Sequence, residues 1–435
     1  MFRKVLILTA YLLGCWTCEL QAGVVNSKWV GGEQGEWGNA SNWKPGVVPD
    51  NSPFNTFAVT IDSNSIGVGE VRIGLPQERT IRQLDCYGVV ILQAWTWYLV
   101  PLTIQDGLTN HGSLTLDKVD IKGDVTNVGG AELEFWAHQN IYGNLYNLAG
   151  ATLKFDRHDI DIEGQRIEND GLIFCTGNGG PGEQPFFENR GTIQLFGGGC
   201  GASEIFYNNS TGEIEGFGAV VGHQLIRNRG AIRASTGTLL LYTEGSLTNS
   251  GMLKNSIGAG LHIRGRTAAC IADVNNQGTV EVSAEGSVVF DCNLVNEPNG
   301  VVKLLGGTLA AQKVTQSPGA TLEGFGGITG NVVIDPNGIM KLTGPTNIVG
   351  DVTISQNATL EISDGTTLIT GQTTCNGTIH MKGGRIIPQG GLSGDCNIVW
   401  EPGAYSNIAD FNLDGRVDIR DFADFADTWL WQLSW

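Results

Sequence analysis

A phrase recurs along most of this chain: an apolar residue, a variable one, asparagine, one or two more residues, glycine, then a short alternating apolar stretch. Leu108, Asn110 and Gly112 make one copy, and Phe187, Asn189 and Gly191 make another. The asparagines fall at 110, 127, 147, 169, 189, 208, 228, 249, 276 and 296, in steps of 17 to 27 residues that cluster near 20. Weaker copies continue through Gly319, Asn337, Asn357 and Asn376, which makes about 14 coils in all. A unit this short cannot bury an apolar face alone, so it must stack on its neighbours. Two or three short strands per unit, joined at tight corners, meet that requirement.

Asparagine and glycine tolerate the left-handed backbone that such corners demand. Asparagine side chains can also stack from coil to coil as hydrogen-bonded ladders. Leu, Ile, Val and Phe would then alternate inward, with Thr, Ser, Lys and Glu outward. Helical repeats of this length would show a 3.6-residue rhythm and fewer glycines than the 63 present here. Those glycines follow no every-third-residue pattern, which excludes collagen. The repeat therefore predicts an all-β, right-handed parallel β-helix over residues 101–400, with an open barrel or sandwich as the alternative.

The period makes the cysteines readable. Cys270 precedes Gly278 by eight residues and Cys292 precedes Gly300 by eight, which puts both at one station of successive coils. Cys375 and Cys396 are also one period apart, and each is followed by asparagine. Stacked positions lie ~4.8 Å apart, within disulfide reach, so the pairs Cys270–Cys292 and Cys375–Cys396 are expected. The competing expectation is buried free thiols. Cys175 and Cys200 make a weaker pair, because their offsets from the local glycine differ, and Cys86 is left over. No C-x-x-C spacing supports zinc or thioredoxin-like chemistry.

Residues 1–22 read as an export signal: Arg3 and Lys4, the apolar run Val5 to Leu13, then Ala22 before Gly23. Cys15, after Leu12, Leu13 and Gly14, offers a lipoprotein variant of the same signal. No stretch approaches the ~20 apolar residues of a membrane-spanning helix. The expected location is secreted or cell-surface. With 26 basic against 44 acidic residues, a net charge of −18 and no basic run, neither nucleic acid nor an anionic membrane is an expected partner.

Residues 23–100 precede the clear repeat and read as an N-terminal cap with the first coils. Trp29, Trp37 and Trp43 stand there among glycines, followed by Pro45, Gly46 and Pro49. An exposed coil end needs covering, and three indoles under Gly/Pro turns suit that task. The alternative role is a sugar-stacking platform. This opening resembles that of large secreted bacterial β-helix and autotransporter-like proteins of planctomycete type. Leu322 to Ile334 is similar to adhesin passenger repeats. The resemblance implies an exported, adhesive or glycan-associated solenoid.

Definite chemistry stands near the C-terminus. Asp410, Asn412, Asp414, Gly415, Arg416, Asp418 and Asp421 follow the spacing of an EF-type calcium loop. Asp410, Asn412 and Asp414 offer side-chain oxygens, and Gly415 permits the sharp turn. Arg416 offers its backbone carbonyl, Asp418 acts through water, and Asp421 closes the site. Ile419, Phe422, Phe425 and Trp429 then fall at helical spacing, while Pro402 and Gly403 argue against an incoming helix. The expectation is a small α-helical calcium-loop tail with calcium as cofactor. A loop with only an exiting helix resembles a single type I dockerin repeat, over residues 407–435. That resemblance implies attachment to a cohesin-like or cell-surface protein, although dockerins normally carry two such repeats.

Catalytic motifs are scarce: HExxH, GxSxG and GxxxxGK[ST] do not occur. The densest polar cluster is Asp156, Arg157, His158, Asp159, Asp161 and Glu163. It reads first as a solvent-facing strand and turn, and second as acid–base groups acting on a glycan. Gly177 to Phe187 reads as an insertion that walls a groove. Two functions remain. One is a non-catalytic extracellular scaffold, and a uniformly ladder-covered face, with Thr/Asn rows and no cleft, would favour it. The other is a polysaccharide lyase or glycoside hydrolase carrying a dockerin, favoured by two carboxylates within ~10 Å in one depression.

Overall fold

The computed structural model describes residues 23–401, except 95–97, 137–138, 157–158, 178–179, 183 and 265–272. The segment read as an export signal, Cys270 and the residues read as a calcium loop lie outside the described residues. Within them the chain is a parallel β-solenoid of about 16 turns, two more than the repeat predicts. Residues 55–94 account for the difference: they lack the asparagine phrase but pair in the same register as the coils that follow. The described residues contain one 3-10 turn, Ala40–Asn42, and no α-helix. The chain divides into two compact units, one ending at Pro185 and the other beginning at Phe186.

In the first unit each coil carries three strands. One series stacks Asn55–Asp62, Gln83–Tyr87, Leu108–Asn110, Val125–Asn127, Leu145–Asn147 and Arg166–Asn169, all parallel. A second includes Val89–Ala94, Ser113–Asp117, Glu132–Phe135 and Thr152–Asp156. The third is a separate six-stranded sheet between Arg79–Ile81 and Gly180–Gly182. One described pairing is antiparallel, where Trp43–Lys44 folds back on Lys28 and Trp29. Parallel stacking excludes the sandwich and the open barrel, which are built from antiparallel neighbours.

In the second unit the asparagine strands stack from Phe186–Asn189 through Ile205–Asn208, Leu225–Asn228, Ser246–Asn249 and Val274–Asn276 to Leu294–Asn296. In several coils the remaining strands run together as one bent strand, such as Glu213–Gly222 and Thr321–Ile334. The first bends at Gly216 and Gly218, with φ of 127° and 135°, a backbone that a Cβ disfavours.

In the ten clear copies the repeat's asparagine serves the stacking. In the first unit the Nδ2 of Asn110, Asn127 and Asn147 donates to the Oδ1 of the next asparagine at 2.8, 3.0 and 2.7 Å, ending on Asn169. In the second unit Asn189, Asn208, Asn228, Asn249, Asn276 and Asn296 repeat this at 2.7–2.8 Å. Asn296 then donates to Gln316 Oε1 at 2.9 Å. All are buried, and burial is tolerated because each amide finds partners. None has a left-handed backbone; Asn299, Asn337 and Asn357 do, with φ between 63° and 71°. The glycine of the phrase is not left-handed either at Gly230, Gly251 or Gly278. An added Cβ at any of these three would lie inside contact distance of the carbonyl oxygen of the glycine one coil earlier. The expected corner role holds at Asn299, Asn337, Asn357, Gly150 and Gly319, which are left-handed, while the ladder asparagines and Gly230, Gly251 and Gly278 serve the stacking instead. Asparagine bonds the coils, and glycine lets them approach.

Apolar columns fill the interior beside the ladders. Phe135 stacks on Phe155 at 5.1 Å, and Phe187 on Phe206 at 4.8 Å. Cys375 and Cys396 form a disulfide, with Cα atoms 4.9 Å apart. Cys292 is buried, and its expected partner Cys270 lies outside the described residues. Cys175 is a buried free thiol, so its weaker pairing with Cys200 does not form. Cys86 is also free, and it pairs in register with Ile61 and Asn110. It thus occupies the asparagine station one coil before the ladder begins. Burial pushes both thiols well above their ordinary value of 9.0, with a smaller contribution from Asp85 at Cys86.

Candidate functional site

The three N-terminal tryptophans are structural. Trp29, Trp37 and Trp43 are at most 2% exposed, and their rings pack at 5.0 Å (Trp29–Trp43) and 4.8 Å (Trp37–Trp43). Each indole N–H is satisfied, donating to Gly32 O, Pro49 O and Trp37 O respectively. Gly31 and Gly35 make room, since a Cβ at either would meet the Trp29 ring. No indole face is left for a sugar, which removes the stacking-platform role and leaves the cap.

Within the Asp156–Glu163 cluster, Asp159–Ile162 is a strand. Ile160 and Ile162 are buried, Asp161 lies between them on the outer side, and Asp156 accepts a hydrogen bond from Thr176 at 2.6 Å. Arg157 and His158 lie outside the described residues. The segment read as a groove-walling insertion is in part the coil's third strand, because Gly180–Gly182 pairs with Asp159–Asp161. Asp410, Asn412, Asp414, Arg416, Asp418 and Asp421 lie outside the described residues. Among those described, no three His, Cys, Asp or Glu come together to hold a metal ion.

Parallel register turns the outward positions into rows. In the second unit one row reads Glu215, Arg233, Lys254, Glu281, Lys303, Glu323, Lys341, Glu361 and His380, one residue per coil. Every carboxylate in it has a cation on an adjoining coil. Histidines follow the same habit: His111 lies 3.9 Å from Asp85, His223 3.3 Å from Glu244, His262 2.9 Å from Asp291 and His380 3.5 Å from Glu401. Tyr242 donates to Glu244 at 3.2 Å, and Arg264 stands 4.0 Å from Asp291. His223, Tyr242, His262, Arg264 and their two acids are all partly exposed or exposed in this unit.

The concave surface is elsewhere. An open, shallow depression of about 520 Å³ lies over Gly212, Gly230, Gly251 and Gly278, beside Ser210, Glu213, Arg229 and Met252. It shares Arg229 and Ser250 with a second depression of about 380 Å³, lined also by Arg227, Thr248, Asn275, Gln277 and Glu297. Each depression holds one carboxylate. Both arginines were missed in reading the sequence. The signal was present: of the ten asparagine copies, only Ile226 to Gly230 carries a cation on both sides of its asparagine. No family model, curated protein or solved structure matches the chain. No helix among the described residues is long and apolar enough to cross a membrane.

Proposed function

We propose that this protein is an exported, non-catalytic extracellular or cell-surface scaffold. In this reading it is wound as a right-handed β-helix, associates with glycans, and attaches to a cohesin-like or other surface partner through a calcium-binding tail. The observation that supports it most is the charge row from Glu215 to His380. Carboxylates set beside cations on adjoining coils hold register and solubility, and Glu215, Glu281 and Glu361 are already engaged in ion pairs rather than poised for proton transfer. Incubation with a panel of plant and bacterial polysaccharides should give retention without new reducing ends or unsaturated products. Product release would overturn the scaffold in favour of the second reading, a polysaccharide lyase or hydrolase. The His262–Asp291 and His223–Glu244 pairs on one outer face are what favour that alternative.

Calcium enters through the tail. Asp410, Asp414, Asp418 and Asp421 follow the sequence spacing of a calcium loop, and a hard divalent cation would remove the repulsion among carboxylates so spaced. Calorimetric titration of the full chain should find one calcium site, and Asp410→Ala should abolish its heat. A full chain that takes up no calcium, or an Asp410→Ala variant that binds like the parent, would sink the dockerin-like assignment.

A further inference from the structure

Each copy of the repeat places one outward side chain before its asparagine and another after it. In the copy from Ile226 to Gly230 both are arginine. Arg227 and Arg229 are exposed, and neither makes an ion pair among the described residues. In a chain of net charge −18, with carboxylates on most neighbouring coils, two unengaged guanidinium groups beside a groove call for an external anion. Arg229 is steadied over the coil below, its guanidinium 5.6 Å from the centre of the Tyr207 ring. The residues in register with Arg227 continue the strip with a phenol, a hydroxyl and an amide: Tyr207 on one side, Thr248 and then Asn275 on the other. Glu297 closes the far end.

We infer that this strip binds a carboxylate-bearing polysaccharide. Arg227 and Arg229 receive the acid groups, and the hydroxyl and amide side chains meet the sugar hydroxyls. The inference rests on the glycan-associated reading above and names the ligand class. Nucleic acid is disfavoured, because it presents a charge every ~1.7 Å along its axis to a strongly acidic protein offering two cations flanked by Glu213 and Glu297 at this site. A peptide that binds by strand addition needs a free sheet edge, and the strands here are paired on both sides.

Native electrophoresis through gels containing polygalacturonate or neutral dextran tests this with the full chain. The parent should be slowed by the polyuronate and not by dextran, and added salt should weaken the effect. The double variant Arg227→Gln/Arg229→Gln should bind the polyuronate about tenfold more weakly. Lys303→Gln/Lys341→Gln removes the same charge from the outward row and should bind like the parent. Both sites are on the surface, and a thermal melt of each variant checks folding. Should the arginine variant fail to fold, Glu297→Gln serves instead, and it should strengthen retention. Equal slowing in both gels would overturn the acidic ligand but leave glycan association standing. Slowing in neither gel would remove both. A lysine variant that loses as much as the arginine variant, or a Glu297→Gln variant that gains nothing, would overturn the groove as the site.

Discussion

Gly251→Ala should be among the most damaging single-methyl changes available in this chain, with a loss of about 3 kcal/mol or a failure to fold. The new Cβ would fall inside contact distance of Gly230 O and of the Arg229 carbonyl carbon, both backbone atoms of the preceding coil. A flexible side chain swings aside, but a coil tied on both faces by strand pairing does not. Relief would need the coils to separate, which breaks the Asn228–Asn249 bond and the pairing around it. Gly69→Ala is the control, since nothing lies within 4 Å of a Cβ there and the backbone is not left-handed. It should be neutral or stabilise by up to about 1 kcal/mol. Denaturant midpoints of the two variants settle the matter. A Gly251→Ala protein that melts with the parent would mean that coil spacing does not explain the repeat's glycine.

Asn228→Ala should cost about 3 kcal/mol. Asn228 accepts from Asn208 at 2.8 Å and donates to Asn249 Oδ1 at 2.7 Å and to Met252 O at 3.1 Å, with no exposure to water. Truncation leaves the Asn249 oxygen without its ladder donor and opens a cavity the size of an amide. Each orphaned buried group costs about 1–3 kcal/mol, so the sum exceeds that of an ordinary core trim. Gln316→Ala should cost less, because the ladder ends there: Gln316 Nε2 is buried without a partner, opposite Ile334. Thr248→Ala, outward in the neighbouring coil, should stay within about 0.5 kcal/mol. Equal losses at Asn228 and Thr248 would show that the ladder contributes nothing beyond side-chain volume.

What could be read from the sequence is whatever repeats once per coil. A parallel coil presents the same station every 20 or so residues, so Asn110 to Asn296 and their glycines announce both the architecture and its period. The three tryptophans announced a packed N-terminal cluster for a similar local reason, since Gly31 and Gly35 lie beside the indole they accommodate. Tertiary structure decided what each repeated residue does. An asparagine that bonds its counterpart a coil away looks the same in sequence as one that turns a corner. The backbone angles of Asn228 and Asn337 separate the two. Cys86 stands at the asparagine station without the phrase around it, so only strand pairing reveals its place. Arg227, Thr248 and Asn275 are scattered along 49 residues and become a single strip because parallel register lines up one residue from each coil. Local spacing determines that the chain must coil. Which side chains then meet depends on the offset between coils, and that offset is set by packing across the whole stack.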